Sequence, residues 1–231
     1  MNREISLCLT TYNRYDLLLK SFKQVLNDDR ISEIIIVDDH SDAATVHALQ
    51  ALHFTNGKVK IHYNDHNMGV YRNKKRTVEL ATNEWVIPFD SDNVITPGYL
   101  DKIYSLNWME NRAYLPSFAK PAFDYRGLIG EYTAKNISAC LKWPRMDALL
   151  NTMNYFVNRK TYLSIWDSKT EPISADSIYM NYLFLRNGGT LEIVDGLEYE
   201  HLIHKGSHYI QNQHRSNVFH ALLMNKLKQL R

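Results

Sequence analysis

Short apolar runs and amphipathic stretches alternate through the first part of the chain. Residues 5–9 are an apolar run, and 15–26 carry Leu18, Leu19, Phe22, Val25 and Leu26 at helical spacing. Ile34-Ile35-Ile36-Val37 is apolar on both faces and β-branched, the pattern of a strand in a covered parallel sheet. Residues 42–52 predict a helix with Ser41 or Asp42 at its N-cap. A third strand is predicted over 59–63, a third helix over 72–81 and a fourth strand over 85–89. This order predicts an α/β fold, a mostly parallel central sheet with helices on both faces.

The second half is less regular. Pro97-Gly98 opens a helix predicted to reach about Trp108, and residues 112–122 look extended but are broken by Pro116 and Pro121. Short strands are predicted over 154–157, 191–194 and 197–199. Helices are predicted over 159–165 and 176–187, the latter stopped by Gly188-Gly189. Residues 218–231 are amphipathic and basic. No repeat or linker interrupts this, so one domain is expected over 1–231. Its parts are a nucleotide-binding half (1–93), an acceptor and catalytic half (94–210) and a C-terminal helix (211–231).

A chain of 231 residues can bury one sizeable core. Its net charge of +2 is too small for a protein that coats nucleic acid. Cys8 and Cys140 are the two cysteines, too few for a disulfide framework. Cys8, within an apolar run, reads as a small buried hydrophobe. No signal-peptide core follows Met1, and no apolar stretch reaches the ~18 residues of a membrane span. A cytoplasmic protein is the expectation.

Candidate chemistry sits at the strand ends. Asp38-Asp39 closes one apolar run and Asp90-Ser91-Asp92 closes another. Ligands of open parallel sheets bind at the carboxyl ends of the strands, so both clusters should face one cleft. Asp at such a place is often only a turn former or helix cap. Crowded carboxylates persist where a cation or ligand compensates them, and Mg²⁺ or Mn²⁺ is held by one or two carboxylates plus substrate phosphates.

At these positions the chain resembles the family-2 glycosyltransferases of GT-A fold. Thr10-Thr11-Tyr12-Asn13, Val37-Asp38-Asp39, the segment from Asn67-Met68-Gly69 to Arg72-Asn73-Lys74, and Asp90-Ser91-Asp92 match the family's motifs in order, the last as its DxD motif. The resemblance implies an inverting, non-processive enzyme. It would move one sugar from a nucleotide-diphospho-sugar, a UDP-sugar on family frequency, to an acceptor hydroxyl in polysaccharide or glycan biosynthesis. It implies donor binding by Thr10, Tyr12, Asp39, Arg72 and Asp90, with Mn²⁺ or Mg²⁺ on Asp92 and a histidine, His201 or its competitor His204. Asp176 would be the catalytic base, although an Asp there can equally cap a helix.

The chain departs from the family pattern in two places. Ala175 stands where a second acidic residue often precedes the base, and Met153-Asn154-Tyr155-Phe156 replaces a Gly-rich acceptor segment. Trp108, Trp143 or Trp166 could serve as a sugar platform, and each could equally be core. The basic tail could lie on an anionic membrane, where lipid-linked acceptors reside, or pack on its own domain. Two rivals remain. A nucleotidyltransferase would need a Gly-rich loop where Thr10-Thr11-Tyr12-Asn13 stands. A non-catalytic glycan-binding subunit would not need Asp39, Asp92 and Asp176.

Overall fold

The structure, a computed structural model, describes residues 3–53, 57–172, 175–202 and 213–230. Strand β1 (Ile5–Thr11) leads into helix α1 (Tyr15–Phe22), β2 (Ile31–Asp38) into α2 (Ala43–His53), and β3 (Val59–Tyr63) into α3 (Val70–Leu80). β4 (Trp85–Asp90) follows. The order in space is β3-β2-β1-β4 with every pairing parallel, as the hydrophobic pattern predicts.

Then come β5 (Asn93–Val94), α4 (Pro97–Tyr104), β6 (Arg112–Lys120), β7 (Phe123–Asp124), β8 (Gly130–Tyr132), α5 (Ala134–Cys140) and α6 (Met146–Leu150). β9 (Phe156–Asn158), α7 (Arg159–Ser164), α8 (Asp176–Arg186), β10 (Thr190–His201) and α9 (Gln213–Lys228) complete the strands and α-helices among the described residues. The sheet continues β4-β9-β6-β10-β5. β9 runs antiparallel to both neighbours, whereas β6 and β10 are parallel, so this half is mixed.

Alternation along the strands divides the interior in two. Leu7, Leu9, Ile34 and Ile36 enter one core with Leu18 and Phe22 of α1 and Tyr99 of α4. Cys8, Ile35 and Val37 enter the other with Val78 of α3, Ile178 of α8 and Leu223 and Leu227 of α9. A strand has period two, so a continuous apolar run serves both faces.

Several elements depart from the sequence pattern. α4 ends at Tyr104, and Trp108 instead packs on Phe156 with ring centroids 4.7 Å apart. β6 passes through Pro116 unbroken. Its register with β10 shifts just after Pro116 pairs Val194, a bulge that accommodates a residue lacking an N–H. The two short strands expected over 191–199 are one strand, turned at Gly196, whose φ is +73°. Nothing in the pattern announced β7, β8, α5 and α6. α8 stops where expected: Gly188 has φ +81°, and a Cβ on Gly189 would stand 2.3 Å from the Phe184 ring.

Glu33 of β2 is a buried carboxylate with four donors. Ser6 Oγ, Lys60 Nζ and Thr82 N each lie 2.6 Å away, and Thr82 Oγ1 lies at 3.0 Å. Burial pushes its pKa up, but the hydrogen bonds from Lys60, Ser6 and Thr82 outweigh it and hold the pKa at about 2. A depressed folded-state pKa contributes stability that is present above the unfolded value, near 4.5, and is lost as pH falls toward about 2. Glu33→Gln is expected to lower the melting temperature at neutral pH and to flatten its decline between pH 4.5 and 2. Unchanged melting curves at both ends of that window would contradict this role.

Candidate active site

A cavity of about 790 Å³ opens at the carboxyl ends of β1, β2 and β4. Its lining includes Thr10, Tyr12, Asp39, Asp90, Asp92, Asp176 and His201. The fold therefore gathers all but one of the site residues expected from the sequence. The exception is Arg72, which sits on another face of α3, half-exposed and paired with Glu171 beside a groove formed with Trp166. Each residue of a helix turns the side chain by about 100°, so Asn73 and Lys74 face the cavity where Arg72 cannot.

The two aspartates ending β2 separate cleanly. Asp38 accepts from Ser41 N and Ser41 Oγ and so shapes the turn. Asp39 turns into the cavity. Its Oδ1 accepts from Asn64 Nδ2 at 2.7 Å and Met68 N at 2.8 Å, and its Oδ2 from Gly69 N at 2.9 Å. Asp39 thus fixes the loop that starts α3. Gly69, with φ +82°, makes that turn possible. Tyr12, 46% exposed, stands at the rim as an open aromatic face.

Lys74 is the residue that sequence reasoning passed over. Its ammonium is buried and lies 2.6 Å from Asp90 Oδ1 and 2.8 Å from Asp176 Oδ2. Burial disfavours the charge, but Asp176 and then Asp90 outweigh it, so the Lys74 pKa is held above its ordinary value. A buried cation between two carboxylates is a compensated cluster, not a solvated charge. The one available signal was a lysine at an interior position of the amphipathic helix.

Asp176 does not cap α8. Ala175 holds the N-cap position and Asp176 begins the first turn, with Oδ2 turned to Lys74. Asn154, buried and with φ +45°, supplies Oδ1 to Asp90 N at 2.7 Å. Asparagine tolerates this left-handed backbone better than most residues, and here it fixes the end of β4.

Asp92 pairs with Arg14 Nη1 at 3.1 Å. His201, opposite Asn93 in the β10–β5 ladder, lies with its ring edge-on to Phe123. Among the described residues no three His, Cys, Asp or Glu side chains cluster closely enough to hold a metal alone. A carboxylate and an imidazole lining one cavity still fit Mn²⁺ or Mg²⁺ completed by substrate phosphates. His204 lies outside the described residues.

Among the described residues, no tryptophan lines the cavity: Trp108 packs on Phe156 and Trp166 stacks on Tyr71 at 3.9 Å. α9 packs on α5 and α8, and its Asn217 and His220 reach the cavity wall. No helix among the described residues is long and apolar enough to cross a membrane.

The sequence model of the family described as Glycosyl transferase family 2 matches residues 6–120. The chain is 27% identical over 150 residues to the GalNAc(5)-diNAcBac-PP-undecaprenol beta-1,3-glucosyltransferase of Campylobacter jejuni, covering 64% of this chain and 48% of that protein. It thus spans about half the length of that curated relative. Among solved structures it is similar to S. aureus TarS 1–349 in complex with UDP-GlcNAc, with TM-score 0.69 and 16% identity over 89% of this chain and 60% of that one. The mannosyltransferase PcManGT from Pyrobaculum calidifontis, in complex with GDP-Man and Mn²⁺, also superposes with TM-score 0.69, at 13% identity over 96% of this chain and 64% of that one. Motifs, sheet order, strand-end cavity and these likenesses agree: the chain belongs to the family-2 glycosyltransferases and has their GT-A fold.

Proposed function

We propose that the chain transfers a single sugar from a nucleotide-diphospho-sugar to an acceptor hydroxyl with inversion, and that Asp176 is the base. The observation that carries this reading is the single cavity lined by Asp39, Asp90, Asp92 and Asp176, with Lys74 joining the last of these to Asp90. Tyr12 offers a face for the nucleobase, and Thr10 and Asp39 border the same end of the cavity. Asp92 and His201 are the residues that would hold Mn²⁺ or Mg²⁺. When bound, that ion would offset the charge growing on the leaving diphosphate. Lys74 occupies Oδ2 of Asp176, and Oδ1 is the oxygen proposed to take the acceptor's proton.

A UDP-sugar is the proposed donor. The UDP-GlcNAc held by the TarS structure supports it, and the GDP-Man of PcManGT makes guanine the alternative to test. The name of the C. jejuni relative supports a glycan or lipid-linked acceptor. For such an acceptor α9 would be the peripheral membrane contact, since Val218 and Leu222 are exposed one turn apart, near Arg215 and Lys226.

Calorimetric titration with UDP and GDP, each with Mn²⁺ and with EDTA, tests the donor end. One nucleotide is expected to bind in a manganese-dependent manner, with affinity falling at least about ten-fold in EDTA, a change of ~1.4 kcal/mol. Binding of neither nucleotide would leave Asp39 and Asp92 with structural roles only.

A further inference from the structure

We propose that Asn217 and His220 of α9, with Asp147 and Asn151 beside them, form the acceptor subsite and select an uncharged sugar through its hydroxyls. This rests on the glycosyltransferase reading and extends it to residues with no assigned role. All four line the same cavity as Asp176. They stand on elements other than those that bear Thr10, Tyr12, Asp39 and Gly69.

Their position relative to Asp176 is fixed by packing. Asn181 of α8 donates from Nδ2 to Leu150 O at 2.7 Å and Thr152 O at 3.1 Å, tying the end of α6 to α8. Tyr179 of α8 meets Phe219 of α9 edge to face at 5.8 Å, and Leu223 and Leu227 are fully buried. Toward the N-terminus of α9 from Leu227 and Leu223, the half-buried His220 and the exposed Asn217 reach the cavity wall.

Asn151 supplies an independent observation. Its Oδ1 is buried without a hydrogen-bond partner while its residue lines the cavity. Turned into the cavity by a side-chain rotation, it would accept from a ligand hydroxyl and lose that cost. Carboxylate, amide and imidazole together both donate and accept, as sugar hydroxyls require. Asp176 is compensated by Lys74, but the exposed Asp147 carboxylate at this end of the cavity opposes a sugar that carries a carboxylate.

The experiment measures nucleoside diphosphate release by the full chain from a panel of UDP- and GDP-sugars. The acceptor probes are p-nitrophenyl β-glucoside, β-galactoside and β-N-acetylglucosaminide, against p-nitrophenyl β-glucuronide. A neutral glycoside is expected to raise release saturably and the glucuronide is not. His220→Ala and Asn217→Ala are each expected to raise the acceptor KM about ten-fold, the loss of one or two hydrogen bonds, with donor KM within about two-fold. His220→Gln, which keeps hydrogen-bonding capacity, is expected to recover part of the loss, and melting curves of all three variants report folding. Equal use of the glucuronide, an unmoved acceptor KM in both alanine variants, or a parallel rise in donor KM would overturn the subsite. Donor turnover that no neutral glycoside raises would overturn it while leaving the glycosyltransferase reading standing. No turnover and no nucleotide binding by the wild-type chain would remove both.

Discussion

Asp176→Asn is expected to lower sugar transfer by roughly 100- to 10,000-fold, the range that a positioned general base contributes. Nucleotide affinity should stay within about two-fold. Asparagine has the same shape and can still accept from Lys74, so the helix start and the ion cluster keep their geometry. What disappears is a group able to take the acceptor's proton as the bond to the anomeric carbon forms. The distinguishing readout is the pH profile. A base must be ionised, so the acid limb of kcat/KM in the wild type should be absent from whatever activity the variant retains. Full activity in Asp176→Asn, or an unaltered acid limb, would transfer the role to another residue.

Lys74→Met is expected to be the most destabilising single change at the site. The buried ammonium is the shared partner of Asp90 and Asp176. Removing one member of a buried ionic cluster typically costs about 3–5 kcal/mol, because the remaining charges stay desolvated and unpaired. Here two carboxylates would also be left to repel each other across a buried site. Denaturant unfolding of Lys74→Met should show this loss. The triple variant Lys74→Met/Asp90→Asn/Asp176→Asn should recover most of it, since it leaves no unpaired buried charge. Equal stability of single and triple variants would show that the unpaired carboxylates are not the source of the loss. Activity should be lost in both, so stability and catalysis are read separately.

Much of residues 1–93 was legible because the signals there are local. The run Ile34-Ile35-Ile36-Val37 can bury both faces only as a strand inside a covered sheet, and it does so. Asp42 was a candidate cap, and its Oδ1 accepts from Thr45 N at 2.8 Å. The acidic strand ends marked a cleft because chain order in a parallel sheet places all such ends on one edge. Trp108 misled for the opposite reason: an apolar residue at helical spacing can equally be a core residue beyond the helix end. Residues 123–150 carry mixed short runs with no sustained period. Their strands are two and three residues long and exist through pairing with β6 and β10.

The sequence by itself determined the parallel strand-and-helix order of residues 5–90 and the strand-end aspartates, because each depends on residues close together in the chain. Only the tertiary structure decided which of them act together. Lys74 meets Asp176 across 102 residues of chain, Arg72 is turned away from the cavity that the next residue, Asn73, lines, and His220 reaches the cavity because α9 packs on α8. Such pairings depend on how helices rotate and dock on the sheet, a non-local outcome that no window of sequence contains.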